Sequence, residues 1–269
     1  LERIKLAGKK GFYAGETADL IVTEMKNGGG IITIADLEDY ESKWRKPIMG
    51  DYRGYKLVSM PPPSSGGVLL VQMLNMLEPY DLGKLGVGSS EVIHLMIEAE
   101  RRAYADRAEH LGDSDFYDVP IETLISKDYA RERFLDFDPN KASVSTDIFA
   151  GVAAKEGLET THASVIDAMG NAVAYTTTLN LSYGSKIVVS GAGFLLNNEM
   201  DDFSAKENSP NAFGLLGREA NAILPGKRML SSMTPTIILK NEKPFLVTGS
   251  PGGSTIITTV LQIVSNVID

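Results

Sequence analysis

The sequence predicts an α+β fold in which helices cover antiparallel sheets. Apolar residues recur at helical spacing through much of the first half, whereas the second half contains short runs rich in β-branched residues. A last apolar run with helical spacing closes the chain. Helices followed by hairpins and then by a helix indicate layers of helix on sheet. Because 43% of the 269 residues are apolar, a sizeable core is expected, and we predict one structural domain.

Caps, chain breakers and periodicity place the elements of the first half. Thr33 and Asp36 have the spacing of a capping box and predict a short helix that ends near Tyr40. Residues 56–60 are predicted as a strand, which the prolines at 61–63 end. Two longer helices are predicted at residues 68–77 and 91–108. The first should be buried, since its apolar residues nearly surround the helix axis.

The second half is predicted to begin with a loose connector, because residues 135–159 show neither period. Hairpins and an apolar helix follow, with one further apolar strand between the hairpins. The predicted elements are a hairpin of residues 163–168 and 172–178, a strand at 193–196, a hairpin of residues 236–240 and 244–248, and a helix from Thr255 onward.

Composition excludes several classes of function. The net charge is −9 and the basic residues form no stripe, so a nucleic-acid partner is not expected. The chain has no cysteine and its three histidines are scattered, which argues against a metal site, and we expect no cofactor. No apolar run approaches the ~20 residues of a membrane span. Both ends lie in helical patterns without caps, so a fragment of a larger protein is expected.

Two segments can supply chemistry of the acyl-transfer type. A threonine hydroxyl is a weak nucleophile unless a base lies beside it, and a chain-terminal threonine carries such a base in its own α-amino group. Thr160 would therefore become reactive only after cleavage in front of it; otherwise it is the polar start of a strand. Gly252 and Gly253 precede a helix, where backbone amides can stabilise an oxyanion, or they are an ordinary turn.

Two further pairs can bind an amino-acid substrate. Glu199 and Asp202 lie three residues apart in a predicted turn and can hold an ammonium group, although surface acidity explains them equally well. Ser231 and Ser232 can donate to a carboxylate, or they belong to a turn. His162 should point away from the face of Thr161, and we interpret it as structural.

Several irregular strings resemble γ-glutamyltransferases (γ-glutamyltranspeptidases) in order and spacing. They run from Met60 to Gly67, Arg102 to Arg107, Thr160 to His162, Leu195 to Ser204, Ser231 to Thr236 and Gly249 to Gly253. Long irregular strings seldom agree by chance. The resemblance implies a four-layer αββα N-terminal-nucleophile hydrolase fold, here truncated at both ends.

The resemblance also implies a proenzyme that cuts itself between Glu159 and Thr160. Residues 1–159 would belong to a large subunit and residues 160–269 to a small subunit paired with it. Thr160 would then attack the γ-glutamyl amide of glutathione or a relative. The acyl group would pass to water or to an amino-acid or peptide acceptor. The family's usual location implies the periplasm or the outside of the cell.

Individual roles follow from the same resemblance. Thr178 matches a hydroxyl that hydrogen-bonds the nucleophile, and the Gly252 and Gly253 amides match an oxyanion hole. The remaining matches concern the substrate's α-amino and α-carboxylate groups. They are Asn180, Glu199 and Asp202 for the amino end and Ser231 and Ser232 for the carboxylate.

The chain departs from the family pattern in two places. The family's carboxylate-binding arginine lies upstream of residue 1, and Phe213 stands where some members carry a tyrosine in a flexible lid, here about residues 207–218. Phenylalanine cannot donate a hydrogen bond to Asn180.

Two other functions stay open: an amidase of the same fold for poly-γ-glutamate or a β-lactam side chain, and an inactive truncated or unprocessed chain.

Overall fold

The structure is a computed structural model that describes residues 1–148, 160–204, 215 and 217–269. These residues group into two compact units. The smaller contains Leu1–Arg45 and Tyr183–Asn198, and the larger contains Lys46–Ser182 and Glu199–Asp269. Within the described ranges, no helix has both the length and the apolar character needed to cross a membrane. The predicted division at residue 160 stays a prediction.

Helices occur in both units, and the predicted ones are confirmed with small changes of boundary. They are α1 (Glu2–Ala7), α2 (Lys10–Tyr13), α3 (Gly15–Gly28), α4 (Ile34–Asp39), α5 (Gly66–Leu77), α6 (Leu82–Leu85), α7 (Ser90–His110), α8 (Ile121–Leu124), α9 (Lys127–Arg133) and α10 (Thr255–Ile268). Short 3-10 helices lie at Ser145–Ile148, Glu199–Asp202 and Glu219–Asn221.

The strands pair in antiparallel fashion in the larger unit. They are β1 (Ile48–Tyr52), β2 (Tyr55–Ser59), β3 (Thr161–Ile166), β4 (Ala172–Thr177), β5 (Thr236–Lys240) and β6 (Lys243–Thr248). One sheet has the order β1-β2-β5-β6, and β3 pairs with β4 in a second sheet. Both predicted hairpins are confirmed, and with the helices they confirm the α+β class.

Two tight turns explain how the four-stranded sheet is connected. Arg53 and Gly54 join β1 to β2, and Asn241 and Glu242 join β5 to β6. All four residues have positive φ, between 48° and 81°, as a two-residue hairpin turn of the primed type requires. Strand β1 was not predicted from the sequence, although an Arg-Gly pair between two short runs is compatible with such a turn.

The core of the larger unit surrounds α5, and every residue of this helix is buried. The helix packs on β1 and β2 and contacts α7, α9 and α10. Burying one leucine or valine contributes about 1.5–3 kcal/mol. An apolar helix covered on all sides was predicted from its sequence, and this prediction is confirmed.

The smaller unit has its own apolar cluster around Ile21, Met25 and Val189. The predicted capping box is present, since Thr33 and Asp36 exchange side-chain and backbone hydrogen bonds at the start of α4. The predicted strand at 193–196 is wrong. Gly193 has a φ of 73°, which turns the chain out of the extended conformation and leaves one isolated bridge nearby.

The connector after α9 is irregular, as predicted, but its described part is not loose. Arg102 Nη1 lies 2.7 Å from Glu98, and Arg102 Nη2 lies 2.7 Å from Asp136. The Ser143 amide donates to Glu98 at 3.0 Å, and Arg101 donates to the Ser143 carbonyl at 2.7 Å. These bonds attach residues 136–143 to α7. Periodicity alone misses the bonds with Asp136 and Ser143 because they join residues 34 to 45 positions apart in the sequence.

Candidate active site

One pocket of the larger unit brings together most of the site residues predicted from the sequence. It is partly open, and its non-atom space, including open solvent, is about 340 Å³. The predicted residues that line it are Thr160, Thr178, Asn180, Glu199, Asp202, Ser231, Ser232 and Gly253. Gly252 is not among the lining residues but directly precedes Gly253. Hydroxyls, carboxyls and a glycine turn from distant parts of the chain therefore meet in one place.

Thr160 and Thr178 meet because of the register of the β3–β4 hairpin. Thr161 at the start of β3 lies opposite Thr177 at the end of β4. Each pocket threonine is the next residue beyond one of these positions, so the hairpin brings them to the same end. Both also line an adjoining cleft with Leu179 and other residues of this segment. Thr160 thus lies where two openings meet.

Asn180 enters the pocket wall through an unusual backbone conformation. Its φ is 74°, in the left-handed region that asparagine tolerates better than most residues. The Asn180 amide donates to Thr178 Oγ1 at 2.9 Å, and Asn180 is only 3% exposed. The end of β4 thereby fixes two predicted site residues at once.

Glu199 and Asp202 lie at the two ends of one 3-10 helix. Three residues make one turn of such a helix, so the two side chains share a face. Burial raises the pKa of Glu199 to about 7, and the charge of Asp202 adds to this effect. Burial also raises the pKa of Asp202 to about 7; Arg107 opposes the rise and Asp201 adds to it. These values differ from those of carboxyls on an ordinary acidic surface.

The serine pair, Ser231 and Ser232, belongs to a segment that is hydrogen-bonded to Ser64 and Ser65, which directly precede α5. Ser65 donates to the Ser231 carbonyl through its backbone amide and its hydroxyl, at 2.9 Å each. Ser64 Oγ donates to the Met233 carbonyl at 2.7 Å. A β-carbon on Gly66 would approach within 2.4 Å of Thr234 Oγ1, so this contact requires glycine. The string from Met60 to Gly67 therefore supports the pocket without lining it.

Ser231 also has a local backbone contact. Its hydroxyl oxygen accepts the Met233 amide at 3.0 Å. A hydroxyl that accepts a hydrogen bond still has its own hydrogen to donate. Ser231 is thus positioned without losing its donor capacity toward the pocket.

The glycine pair forms the turn between β6 and α10. Gly252 has a φ of 132° and Gly253 a φ of 54°, conformations that side chains disfavour. The Gly252 carbonyl accepts hydrogen bonds from the Thr255 amide at 3.0 Å and from Thr255 Oγ1 at 2.6 Å. The pocket wall at Gly253 therefore lies beside the N-terminus of a 14-residue helix, where backbone amides favour negative charge.

Two sequence predictions lie outside the described residues. Glu159, the predicted cleavage residue, precedes the described segment that starts at Thr160, and Phe213 falls in the undescribed part of the predicted lid. From that lid, Leu215 lines the pocket. In the described ranges, no group of three or more His, Asp or Glu side chains is placed to hold a metal ion.

Arg107 is a pocket residue whose role was not predicted from the sequence. It lies on α7, is 3% exposed and lines the pocket. Its Nε donates to Ser65 Oγ at 3.0 Å. Its burial could have been predicted from its position in the sequence. Arg107 lies one helical turn after the small residue Ala103, which also belongs to the buried face of α7.

Comparison with known proteins adds a family match over the whole chain. The family model described as Gamma-glutamyltranspeptidase matches residues 1–269. A glutathione hydrolase proenzyme of Escherichia coli K12 is 54% identical over 270 residues, which cover 100% of this chain and 47% of the relative. The chain spans about half the length of the curated relatives it matches.

Solved structures with a similar fold include members of the same family and a related acylase. A cephalosporin acylase from Bacillus halodurans has a TM-score of 0.82 and 26% identity, covering 100% of this chain and 46% of that chain. A γ-glutamyltranspeptidase from Helicobacter pylori has a TM-score of 0.53 and 52% identity, covering 54% of this chain and 42% of that chain. The predicted N-terminal-nucleophile hydrolase class is confirmed by these neighbours.

Proposed function

This chain belongs to the γ-glutamyltranspeptidase family, and from that premise we propose that it carries the reaction centre of a self-processing γ-glutamyl amide hydrolase and transferase. The observation that supports this most is the single pocket in which Thr160 meets two carboxyls and two serines. Thr160 is the proposed nucleophile. The proposed substrates are glutathione and similar γ-glutamyl compounds.

The first proposed step is self-cleavage between Glu159 and Thr160. Thr160 Oγ attacks the carbonyl carbon of Glu159, and the peptide C–N bond breaks as the acyl group moves to oxygen. The nitrogen takes up the hydroxyl proton and becomes a free α-amine. Water then hydrolyses the ester and releases the Glu159 carboxylate. The products are a segment ending at residue 159 and a paired segment starting at residue 160.

The released α-amine is the proposed base of the mature centre. Its ordinary pKa of about 7.7–8.0 suits proton transfer near neutrality. It accepts the Thr160 hydroxyl proton as Oγ attacks the γ-glutamyl carbonyl, and it returns that proton to the leaving amine as the C–N bond breaks. Thr178 lies at the same end of the hairpin and can hold the Thr160 hydroxyl in place.

Charge develops on the carbonyl oxygen during this attack. The amides of Gly252 and Gly253, next to the N-terminus of α10, are the proposed donors to that oxygen. Donors fixed by a turn need no rearrangement as the charge appears. The acyl-enzyme ester then passes to water or to the amine of an amino acid or peptide, and the cleft beside Thr160 gives that acceptor a route.

The two ends of the γ-glutamyl group have matching partners in the pocket. Glu199 and Asp202, with Asn180, are the proposed partners of its α-ammonium group, and Ser231 and Ser232 those of its α-carboxylate. A bound ammonium stabilises the ionised form of a half-buried carboxyl. Glu199 and Asp202 would therefore gain full charge as substrate binds.

We also propose a location in the periplasm or outside the cell, because that is the usual location of the family.

A second candidate activity is removal of an acyl chain from a β-lactam compound. The similarity to a structure described as a cephalosporin acylase favours it. Glutaryl and γ-glutamyl chains differ only by the α-amino group, so Glu199 and Asp202 should decide between them.

Intact mass and turnover test the proposal. The full-length natural polypeptide should yield two pieces that meet at the bond between Glu159 and Thr160, and Thr160→Ala should stay uncut. Thr23→Ala, an exposed threonine on α3, is the control and should be processed normally. The processed protein should release aniline faster from a γ-glutamyl anilide than from a glutaryl anilide. An uncut wild type would refute self-processing, and a preference for the glutaryl compound would favour the acylase.

A further inference from the structure

Arg107 connects three segments behind the pocket. Its Nε donates to Ser65 Oγ at 3.0 Å, and its Nη2 makes longer contacts of 3.4 Å with the Leu230 carbonyl and with Ser232 Oγ. Ser65 in turn donates to the carbonyl of Ser231. One guanidinium therefore contacts Ser65 in front of α5, Leu230 in front of the serine pair, and Ser232 of the pair itself.

Arg107 also brings a positive charge to an acidic part of the pocket. Asp202 interacts electrostatically with Arg107 and with Asp201, and Glu199 interacts with Asp202. Arg107 reaches this group from α7, whereas the three acids belong to one 3-10 helix. Burial lowers the pKa of Arg107, but Tyr104 and Asp202 oppose that effect, and a guanidinium stays charged in proteins.

We propose that Arg107 is a positioning residue for the reaction at Thr160: it holds the Ser231–Ser232 segment in place and sets its positive charge opposite Asp202. This inference rests on the function proposed above. Arg107 would then affect both ends of the substrate. Its contacts with the serine segment affect binding of the α-carboxylate, and its charge near Asp202 affects binding of the α-ammonium group.

The shape of the side chain makes lysine a poor substitute. A guanidinium presents donors in a planar fork and can contact Ser65 and Ser232 together. An ammonium keeps the charge, but it has one nitrogen and cannot hold both partners with the same geometry. Arg107→Lys should therefore retain the effect on Asp202 and lose much of the effect on the serines. Arg107→Met should lose both.

Arg102 provides a matched control on the same helix. It is 1% exposed and bonds to Glu98 and Asp136, and it does not line the pocket. Substituting it tests what any loss of a buried arginine from α7 does to folding. A change in KM or in the pH profile that appears with Arg107 variants and not with Arg102→Lys is therefore caused by the loss of Arg107 from the pocket.

The experiment measures intact mass, thermal unfolding and steady-state kinetics in the full-length polypeptide. Arg107→Lys should raise KM about tenfold for both the γ-glutamyl and the glutaryl anilide, with a smaller change in kcat. Arg107→Met should also move the acid limb of kcat/KM upward by roughly one pH unit for the γ-glutamyl compound alone. Ser65→Ala removes one partner with little change in volume and should raise KM as Arg107→Lys does.

Distinct results overturn the two proposals. If wild type is neither cleaved nor active, the proposed function fails and this inference fails with it. If wild type turns over but the folded Arg107 variants keep its KM and pH profile, Arg107 has only a structural role. The same conclusion follows if Arg102→Lys gives equal shifts. If the Arg107 variants do not fold, a wild-type KM in Ser65→Ala overturns the inference.

Discussion

Arg102 and Glu98, one turn apart on α7, form an ion pair at 2.7 Å while both side chains are 1% exposed. Glu98 also accepts the Ser143 amide, so the pair holds the segment that leads toward the proposed cleavage point. Burial raises the pKa of Glu98, but hydrogen bonds from Ser143 and Arg102 outweigh it and lower the pKa overall. Glu98 is therefore a buried carboxylate kept charged by its partners.

Glu98→Ala should be strongly destabilising, because it removes the buried carboxylate that pairs with Arg102; the other partner, Asp136, is exposed. We expect a loss of about 3–5 kcal/mol in the free energy of unfolding, measured by urea titration at neutral pH. Asp128→Ala breaks an exposed pair with Arg131 and should change stability little. Since the pKa of Glu98 is lowered on folding, its contribution should be lost as pH falls below its ordinary value of about 4.3. Equal effects of the two substitutions would contradict this interpretation.

Gly66→Ala tests the close packing behind the serine pair. The new methyl group would meet Thr234 Oγ1 at 2.4 Å and the Met233 carbonyl at 2.5 Å. We expect about 1–3 kcal/mol of destabilisation and a higher KM for the γ-glutamyl anilide, since the segment after Ser232 must move. Gly28→Ala is the control, because its β-carbon meets nothing within 4 Å at the end of α3. Unchanged stability and KM in Gly66→Ala would show that the pocket tolerates the shift.

Most of the secondary structure and most of the pocket residues could be predicted from the sequence, and the reasons are physical. Periodicity gave α5 and α7, and the β-branched runs gave the β3–β4 hairpin, whose register aligns Thr160 with Thr178. Local patterns do not contain the contact of Ser65 with Ser231, which joins residues 166 apart. They also missed Arg107, since burial of a charged side chain depends on partners brought by other segments.

The pH dependence of KM should reveal the two raised carboxyl pKa values. Glu199 and Asp202 must be ionised to hold an ammonium, and burial raises both pKa values to about 7. KM for the γ-glutamyl anilide should therefore fall as pH rises from 6 to 8, by up to about tenfold. The glutaryl anilide lacks the ammonium group and should show no such fall. A parallel change for both substrates would assign the titration to another group, such as the α-amine of Thr160.

Thr178 tests whether the hydroxyl beside Thr160 acts in the chemical step. Thr178→Val keeps the shape but removes the oxygen that accepts the Asn180 amide at 2.9 Å. We expect kcat to fall about 10- to 100-fold with a smaller change in KM, because a positioned hydroxyl acts mainly in the transition state. Thr178→Ser restores the oxygen and should recover most of the activity, whereas a purely steric role predicts the reverse order. Single-turnover release of aniline separates acylation from the later hydrolysis, and a normal acylation rate in Thr178→Val would remove Thr178 from the proposed mechanism.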